Sequence, residues 1–505
     1  MFSKILIANR GLIQANCVRA VKELGARAIT IYAPNDKNSA GVRNADEAYE
    51  LEVKASGIPY LDIEQIVDLA VKLKVDAVHP GYGFLAQNAD FNAKLKEKKI
   101  CLITPKHLEG YDLADKPQIR SFAQTLGLPI LPGTDTCNDL ESLKKSAAEI
   151  GYPIVMKAAE GYGGIGLRVI DRESVLEANY RNVLSQADRH LLHAPHEVYL
   201  EKYFTKAKHI EFPVARDAQG NMVVFPEREC TIQRRYQKLV TETPSSCLTD
   251  ALRGKLKSAV ELLMNQLAIQ GFVSVEFLYD GDQAYFLEIN SYIQPSHAVS
   301  ALLTGVDMLR EQVSIASDAP LSFSSKDITN DDVAMGVFVS AEDTDRNFTP
   351  SPGKIERLDL PYGDGVYSLT NVSAGDTVGT FYDPIVALVM AKEISRSKVI
   401  SKMRTALDAL HIDGIKTSIP LMRALMRYPA FSKGEYDSEI LATKESRDAI
   451  FDNIRTPEES EIAAMIAALS LHRDSSKQHL LDEARENSKK GKVWEMAAEW
   501  FNRQK

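Results

Sequence analysis

Cysteine is scarce in this 505-residue chain, and its placement offers no pairing. The five residues, Cys17, Cys101, Cys137, Cys230 and Cys247, are odd in number, scattered, and never form a Cys-x-x-Cys. That argues against a disulfide framework or a zinc site and fits free thiols in a reducing cytosol. A cationic surplus is missing too: 60 Lys and Arg face 69 Asp and Glu, for a net charge of −9. A general nucleic-acid binder needs the opposite balance, so no nucleic-acid partner is expected. No apolar run approaches the roughly 18 residues of a membrane span. The apolar stretch in MFSKILIANRG is too short for a signal peptide and reads as a first strand. These absences leave a cytoplasmic protein without membrane contact, too long for one core and expected to form roughly three domains.

What is present is most informative at Val275–Gln294, VEFLYDGDQAYFLEINSYIQ. Two alternating runs flank Asp280-Gly281 and predict a hairpin. Glu276 falls on its first strand; Glu288 and Asn290, two apart, share a face of the second. Three hard oxygen donors facing one way suit Mg²⁺, which prefers carboxylates plus nucleotide phosphates; the same pattern also describes a solvated hairpin face.

The first ~110 residues predict an open α/β unit: a strand at KILIAN, a helix ending near Gly25, a strand at 26–32 and another within 75–83. They hold no GxGxxG, so the unit either binds a ligand or scaffolds its neighbour. A second unit starts near Asp115-Lys116. In it, residues 152–170 read as strand, glycine-rich loop and strand, without the GK[ST] ending of a Walker loop. Gly161, Gly163, Gly164 and Gly166 would let backbone amides close over phosphates, with Lys157 on the preceding strand to meet one. A plain glycine-rich hairpin is the alternative. Glu201 and Lys202 supply a pairing suited to an adenine edge.

Taken in order, these segments resemble an ATP-grasp protein, and within that superfamily the biotin carboxylases. The resemblance rests on IANRG (7–11), ADE (45–47), HPGYGFL (79–85), DK (115–116), GYP (151–153), EKY (201–203), QRRYQK (233–238), GVD (305–307), AED (341–343), PSPGKI (350–355), YD (382–383) and DGIKT (413–417), and covers about residues 1–447. It implies a Rossmann-like N-terminal domain over 1–114, an ATP-grasp domain over 115–329 with a glycine-loop lid at about 130–204, and a biotin-carboxylase C-terminal domain over 330–447. A helical extension over 448–505 lies outside it. It further implies that Lys116, Lys157, Gly163, Gly164, Glu201, Lys202, His209, Gln233 and Tyr236 surround ATP. Glu276, Glu288 and Asn290 would take Mg²⁺, or Mn²⁺ in its place. Biotin would enter only as a carrier-bound substrate, and a homodimer working with a biotin-carrier protein and a carboxyltransferase is expected.

The chain departs from the family where bicarbonate and biotin are handled. The family pattern N-x-R-x-Q-V-E reads here Asn290-Ser291-Tyr292-Ile293-Gln294-Pro295-Ser296. Tyr292 thus replaces the bicarbonate-binding Arg, and Ser296 replaces the general base Glu. Pro295 also removes a backbone donor. Phe338, Gln87 and Leu388 stand where the family has Arg, an acid and Lys, and Tyr236 where it usually has His. Glu160, Tyr162 and Ile165 interrupt the glycine loop. Lys238 and Gln294 remain as catalytic candidates. Three outcomes stay open: ordinary carboxylation by compensation, a ligase for another carboxylic acid, or a non-catalytic ATP-binding subunit. His297 is a candidate replacement base or a structural histidine.

The last ~57 residues predict two helices. One starts at Thr456-Pro457-Glu458-Glu459 and carries Ile462, Met465, Ile466 and Leu469 on one stripe. The other holds Trp494 and Trp500. They either cap the C-terminal domain or dock a partner.

Overall fold

The computed structural model describes residues 1–54, 57–83, 85–159, 166–190, 197–328 and 331–453. The chain divides into two units, 1–448 and 449–505. The predicted terminal helices, with Trp494 and Trp500, lie outside the described residues, as do Gly161, Gly163 and Gly164 of the glycine loop.

The N-terminal part is built on β1 (Lys4–Ile7), α1 (Gly11–Glu23), β2 (Arg27–Tyr32), α2 (Ala40–Asn44), β3 (Glu47–Glu50), α3 (Ile63–Leu73), β4 (Ala77–His79), α4 (Ala89–Glu97) and β5 (Cys101–Leu102). The strands form one parallel sheet in the order β3-β2-β1-β4-β5. Alternation along β1 explains why both faces are covered. Ile5 and Ile7 pack with Ile13, Cys17 and Val21 of α1. Leu6 and Ala8 pack with Ile66 and Ala70 of α3 and with Phe91 and Leu95 of α4. The sequence reading finds β1, β2 and β4 and passes over β3, an edge strand flanked by its own glutamates, and β5, only two residues long.

Next come α5 (Lys116–Thr125), α6 (Leu140–Ile150), β6 (Ile154–Ala158), β7 (Leu167–Ile170), α7 (Leu176–His190) and β8 (Val198–Lys202). Asp115 caps α5 by accepting from the Gln118 amide, and Pro117 stands in the first turn, where its missing N–H costs nothing. That start fixes Lys116 at the head of the helix. Strands β7-β6-β8 make a small antiparallel sheet backed by Leu143, Ala147, Leu176 and Val183.

The remaining strands are β9 (Lys208–Arg216), β10 (Arg228–Glu229), β11 (Val240–Thr243), β12 (Gly271–Tyr279), β13 (Ala284–Asn290), β14 (Val333–Ser340), β15 (Val366–Thr370) and β16 (Ile385–Glu393). They join in the order β13-β12-β9-β10-β11-β14-β16-β15, and Met222–Val224 pairs with β9 beside that path. One sheet therefore runs from the acidic hairpin into the C-terminal part, through Thr241↔Gly336. Helix α8 (Asp250–Gln266) covers one face through Leu256, Val260, Leu263 and Met264. Helices α9 (His297–Thr304) and α10 (Met308–Ala316) lead away from the hairpin. Among the described residues no helix is long and apolar enough to cross a membrane.

Candidate active site

The hairpin forms as its alternation predicts, with Asp280–Gln283 as a four-residue loop closed by the Asp280 N–H donating to the Gln283 carbonyl at 3.1 Å. Glu276 of β12 lies opposite Glu288 of β13, and the ladder shifts register just after Glu276. The Asn290 Nδ2 donates to Glu276 Oε1 at 2.9 Å and to Glu288 Oε1 at 3.3 Å. The three predicted oxygen-bearing side chains are thus together at one end of the hairpin.

Strand β9 brings a third acid, because Glu211 pairs with Glu276 across the ladder. Two buried carboxylates directly opposite repel. Lys238 bridges them, 2.6 Å from Glu211 Oε2 and 3.1 Å from Glu276 Oε1. Arg228, opposite Glu211 on β10, adds an ion-pair contact of 2.6 Å to Oε1. Burial would raise the Glu211 carboxyl, but Arg228 and Lys238 outweigh it and hold it well below the usual carboxylate range. Burial would likewise lower the Lys238 ammonium, yet Glu211 and Glu276 keep it above its ordinary value.

His209 sits next in line. Its Nε2 is 2.7 Å from Glu276 Oε2, and its Nδ1 is 3.0 Å from the Gln233 Nε2. Gln233 donates there and to the Cys230 carbonyl, so the tautomer that satisfies every partner carries its proton on Nε2. Lys116 reaches Glu288 Oε2 at 2.7 Å. Burial acts to raise the Glu288 carboxyl, but Lys116, Lys157 and His209 bring it down to about 2. Lys157, on β6, meets Glu201 of β8 at 2.5 Å, and Arg120 of α5 meets the other Glu201 oxygen at 3.2 Å.

Two predicted residues are not brought to this cluster. Glu201 and Lys202 are consecutive on β8 and so face opposite ways. Lys202 donates to the carbonyls of Gly151 and Tyr152 at 2.8 and 3.1 Å, which separates it from the Glu201 side chain. Tyr236 stands in the turn between two short strands with φ 65°, and about half its side chain is exposed. Three residues that the sequence reading leaves unassigned take part: Glu211, Arg228 and Arg120. Only Glu211 had a signal, as the residue two after His209 on a strand.

The positions that depart from the family pattern are occupied as follows. Ser296 is fully buried, and its hydroxyl donates to Glu211 Oε1 at 2.8 Å. That proton is given to a carboxylate already held ionised, so Ser296 is no base. The Gln294 Oε1 is 3.5 Å from Lys238. Burial and the charges of Glu288 and Glu276 push the Tyr292 phenol above its ordinary value. Gln87 donates to the Ser291 hydroxyl at 3.1 Å. Phe338 and Leu388 pair across β14 and β16 and are buried with Leu12, Val299, Leu303 and Met390. Pro295 is half-buried.

His297 is buried, with its Nδ1 3.0 Å from the Gln294 carbonyl, and burial lowers it to about 4. It is held by backbone rather than aimed at the acids. His79 is lowered to about 4 by burial and by His297. The sign follows from linkage. Between the ordinary value of 6.5 and about 4, the unfolded chain binds protons that the folded chain refuses. Their stabilising effect is complete above pH 6.5 and is lost progressively as pH falls toward 4. Calorimetric melting should therefore show the Tm dropping across that window, and His297→Gln should reduce the proton uptake on unfolding there by about one. An unchanged uptake would contradict the assignment.

Comparison with known proteins accounts for this layout. The family model described as the biotin carboxylase N-terminal domain matches residues 1–108. The ATP-binding domain of the carbamoyl-phosphate synthase L chain matches 115–324, and the biotin carboxylase C-terminal domain matches 337–443. The 2-oxoglutarate carboxylase small subunit of Hydrogenobacter thermophilus is 36% identical over 472 residues, 93% of this chain and 98% of that protein. Biotin carboxylase 2 of Bacillus subtilis is 35% identical over 444 residues, 87% of this chain and 99% of that one. Among solved structures, the biotin carboxylase domain dimer of the Hydrogenobacter enzyme, in complex with MgADP, ADP and bicarbonate, superposes with a TM-score of 0.84 at 36% identity over 89% of this chain and 99% of that chain. Biotin carboxylase from Campylobacter jejuni gives 0.82 at 34% identity, over 88% and 99%. With the nine-stranded sheet, the parallel N-terminal sheet and the small β7-β6-β8 sheet in the expected order, the chain belongs to the biotin carboxylase family and has its three-part architecture.

Proposed function

We propose that this chain binds Mg·ATP and keeps the phosphoryl-transfer half of biotin carboxylase chemistry, while the acid it activates is an organic carboxylate rather than bicarbonate. The observation that carries this is the state of Ser296: its hydroxyl is bound to Glu211, and every charged group around it is already paired. Bicarbonate, though already an anion, keeps one proton that a base must take on the way to carboxyphosphate. A carboxylate is ionised at neutral pH and needs none.

The nucleotide half is supported by the donor set. Glu276 and Glu288 would hold the metal with Asn290 beside them, a set of hard oxygens suited to Mg²⁺ when phosphates supply the rest. The bound metal would neutralise charge between the phosphates. Lys116, Lys157 and His209 would lie along the nucleotide, with Glu201 orienting Lys157. The two solved relatives, one in complex with MgADP and the other a β-γ-ATP complex, support this reading. In the step itself, a carboxylate oxygen bonds to the γ-phosphorus and the bond to the bridging oxygen breaks. ADP leaves, and an acyl phosphate remains for an amine, thiol or other nucleophile. Lys238 and Gln294 would steady the incoming acid, with the Tyr292 ring as one wall.

One relative is a small subunit by name, and one solved relative is a dimer, which supports a homodimer working within a larger assembly. The test is a screen of organic acids with Mg·ATP and hydroxylamine, which traps acyl phosphates as hydroxamates. At least one acid should raise ADP and hydroxamate release together. Tight Mg·ATP binding with no hydroxamate from any acid would instead make ATP a bound ligand of a non-catalytic subunit.

A further inference from the structure

A cleft of about 160 Å³, open to solvent, lies between the N-terminal sheet and the C-terminal part of the first unit. On one side it is lined by Arg10, which follows β1, and by Asn35, Asp36, Asn38 and Ser39, which follow β2. These are carboxyl ends of parallel strands, where open α/β sheets bind ligands. On the other side are the loop from Asn371 to Gly379 and the segment Phe381–Asp383. The two sides are tied together. Arg10 Nη1 is 2.9 Å from Asp383 Oδ2, and the Ala40 N–H donates to the Asn371 carbonyl at 3.1 Å.

Within this cleft Asn371 is 5% exposed, and among the described residues its Oδ1 has no hydrogen-bond partner. A buried amide oxygen without a donor costs free energy unless something fills the place. The lining is also acidic: Asp36, Asp376 and Asp383 face one Arg10, and Arg43 meets Asp376 from beside the cleft at 3.5 Å. Arg10 is spent on Asp36 at 2.8 Å and on Asp383, and its guanidinium lies 4.4 Å from the Tyr382 ring centre. Asp383 remains 40% exposed as a side chain, so one carboxylate still faces solvent. Phe381, also in the lining, is 72% exposed. An orphan acceptor, an accessible carboxylate and an exposed aromatic ring together suit a donor-rich cation.

We infer that this cleft is a binding site for a small ammonium-bearing molecule, distinct from the nucleotide site. Its ammonium sits between Asp383 and the Asn371 Oδ1, and its carbon body lies against Phe381.

The test uses the full chain at low ionic strength, saturated with Mg·ATP so that the nucleotide site is filled. Ethanolamine, 1,4-diaminobutane and choline are titrated calorimetrically, with glycerol and acetate as a neutral and an anionic control. At least one amine should bind in the millimolar range or tighter, and the controls should not. Asp383→Asn should weaken that binding about tenfold. Phe381→Ala, at an exposed position that does not challenge folding, should weaken it several-fold. If no amine binds, if glycerol or acetate binds as well as the amines, or if both variants bind as the parent does, the site is not the one described.

Discussion

Glu288→Gln is expected to weaken Mg·ATP binding about 100-fold or more, since even groups one step removed from a metal cost 10–100-fold when lost. The reason is electrostatic. The Glu288 carboxyl, held down to about 2 by Lys116, Lys157 and His209 against the pull of burial, is fully ionised at any working pH and is half of the paired acids on the hairpin. A glutamine keeps the shape and removes the charge, and it leaves Lys116 without the partner it meets at 2.7 Å. Calorimetric titration should show the loss with Mg·ATP and a change of less than about threefold with metal-free ATP. Equal losses in both titrations would mean that Glu288 positions Lys116 and has no metal role.

Arg228→Met should be the most destabilising single change in the site, costing about 3–5 kcal/mol, because it removes one of two cations from a fully buried carboxylate. Glu211 would keep Lys238, the Ser296 and Ser274 hydroxyls and the Cys230 thiol, none of which replaces a guanidinium. Urea unfolding should show a lower midpoint at an unchanged slope. Glu211 in the parent lies well below the usual carboxylate range, so its contribution is present above about pH 4.5 and is lost as pH falls below it. The deficit of the variant should shrink in the same direction. Glu211→Gln in the Arg228→Met background should recover part of the loss by removing the orphaned charge. A double variant no better than the single would show that packing around Arg228, rather than its charge, matters.

Much of this was open to reading in the sequence, and the parts that were not share a cause. The acidic hairpin was legible because a strand's period of two assigns faces without further information. The same rule separates Glu201 from Lys202, whose adjacency in sequence suggests a joint role and whose strand places them back to back. The placing of Lys116 against Glu288 and of Lys157 against Glu201 was legible through the order of motifs. The state of Lys238 was not: its two carboxylates come from β9 and β12, and only the ladder Glu211↔Glu276 reveals that it is fully engaged. Arg228 had no signal, since a buried arginine looks like any other until its partner is known. Phe338 and Leu388 each read as an isolated change, and the structure gathers them with Leu12 into one apolar cluster. The β-sheet register makes that cluster a packed wall.

The measurement that tests the central claim most directly is ADP release from Mg·ATP in the presence of bicarbonate and free biotin, scored against omission of each. The account predicts that the purified chain binds Mg·ATP and that neither omission changes its rate of ADP release. Turnover that requires both bicarbonate and biotin would contradict it, and would mean that the paired cluster around Glu211 and Ser296 opens to provide a base.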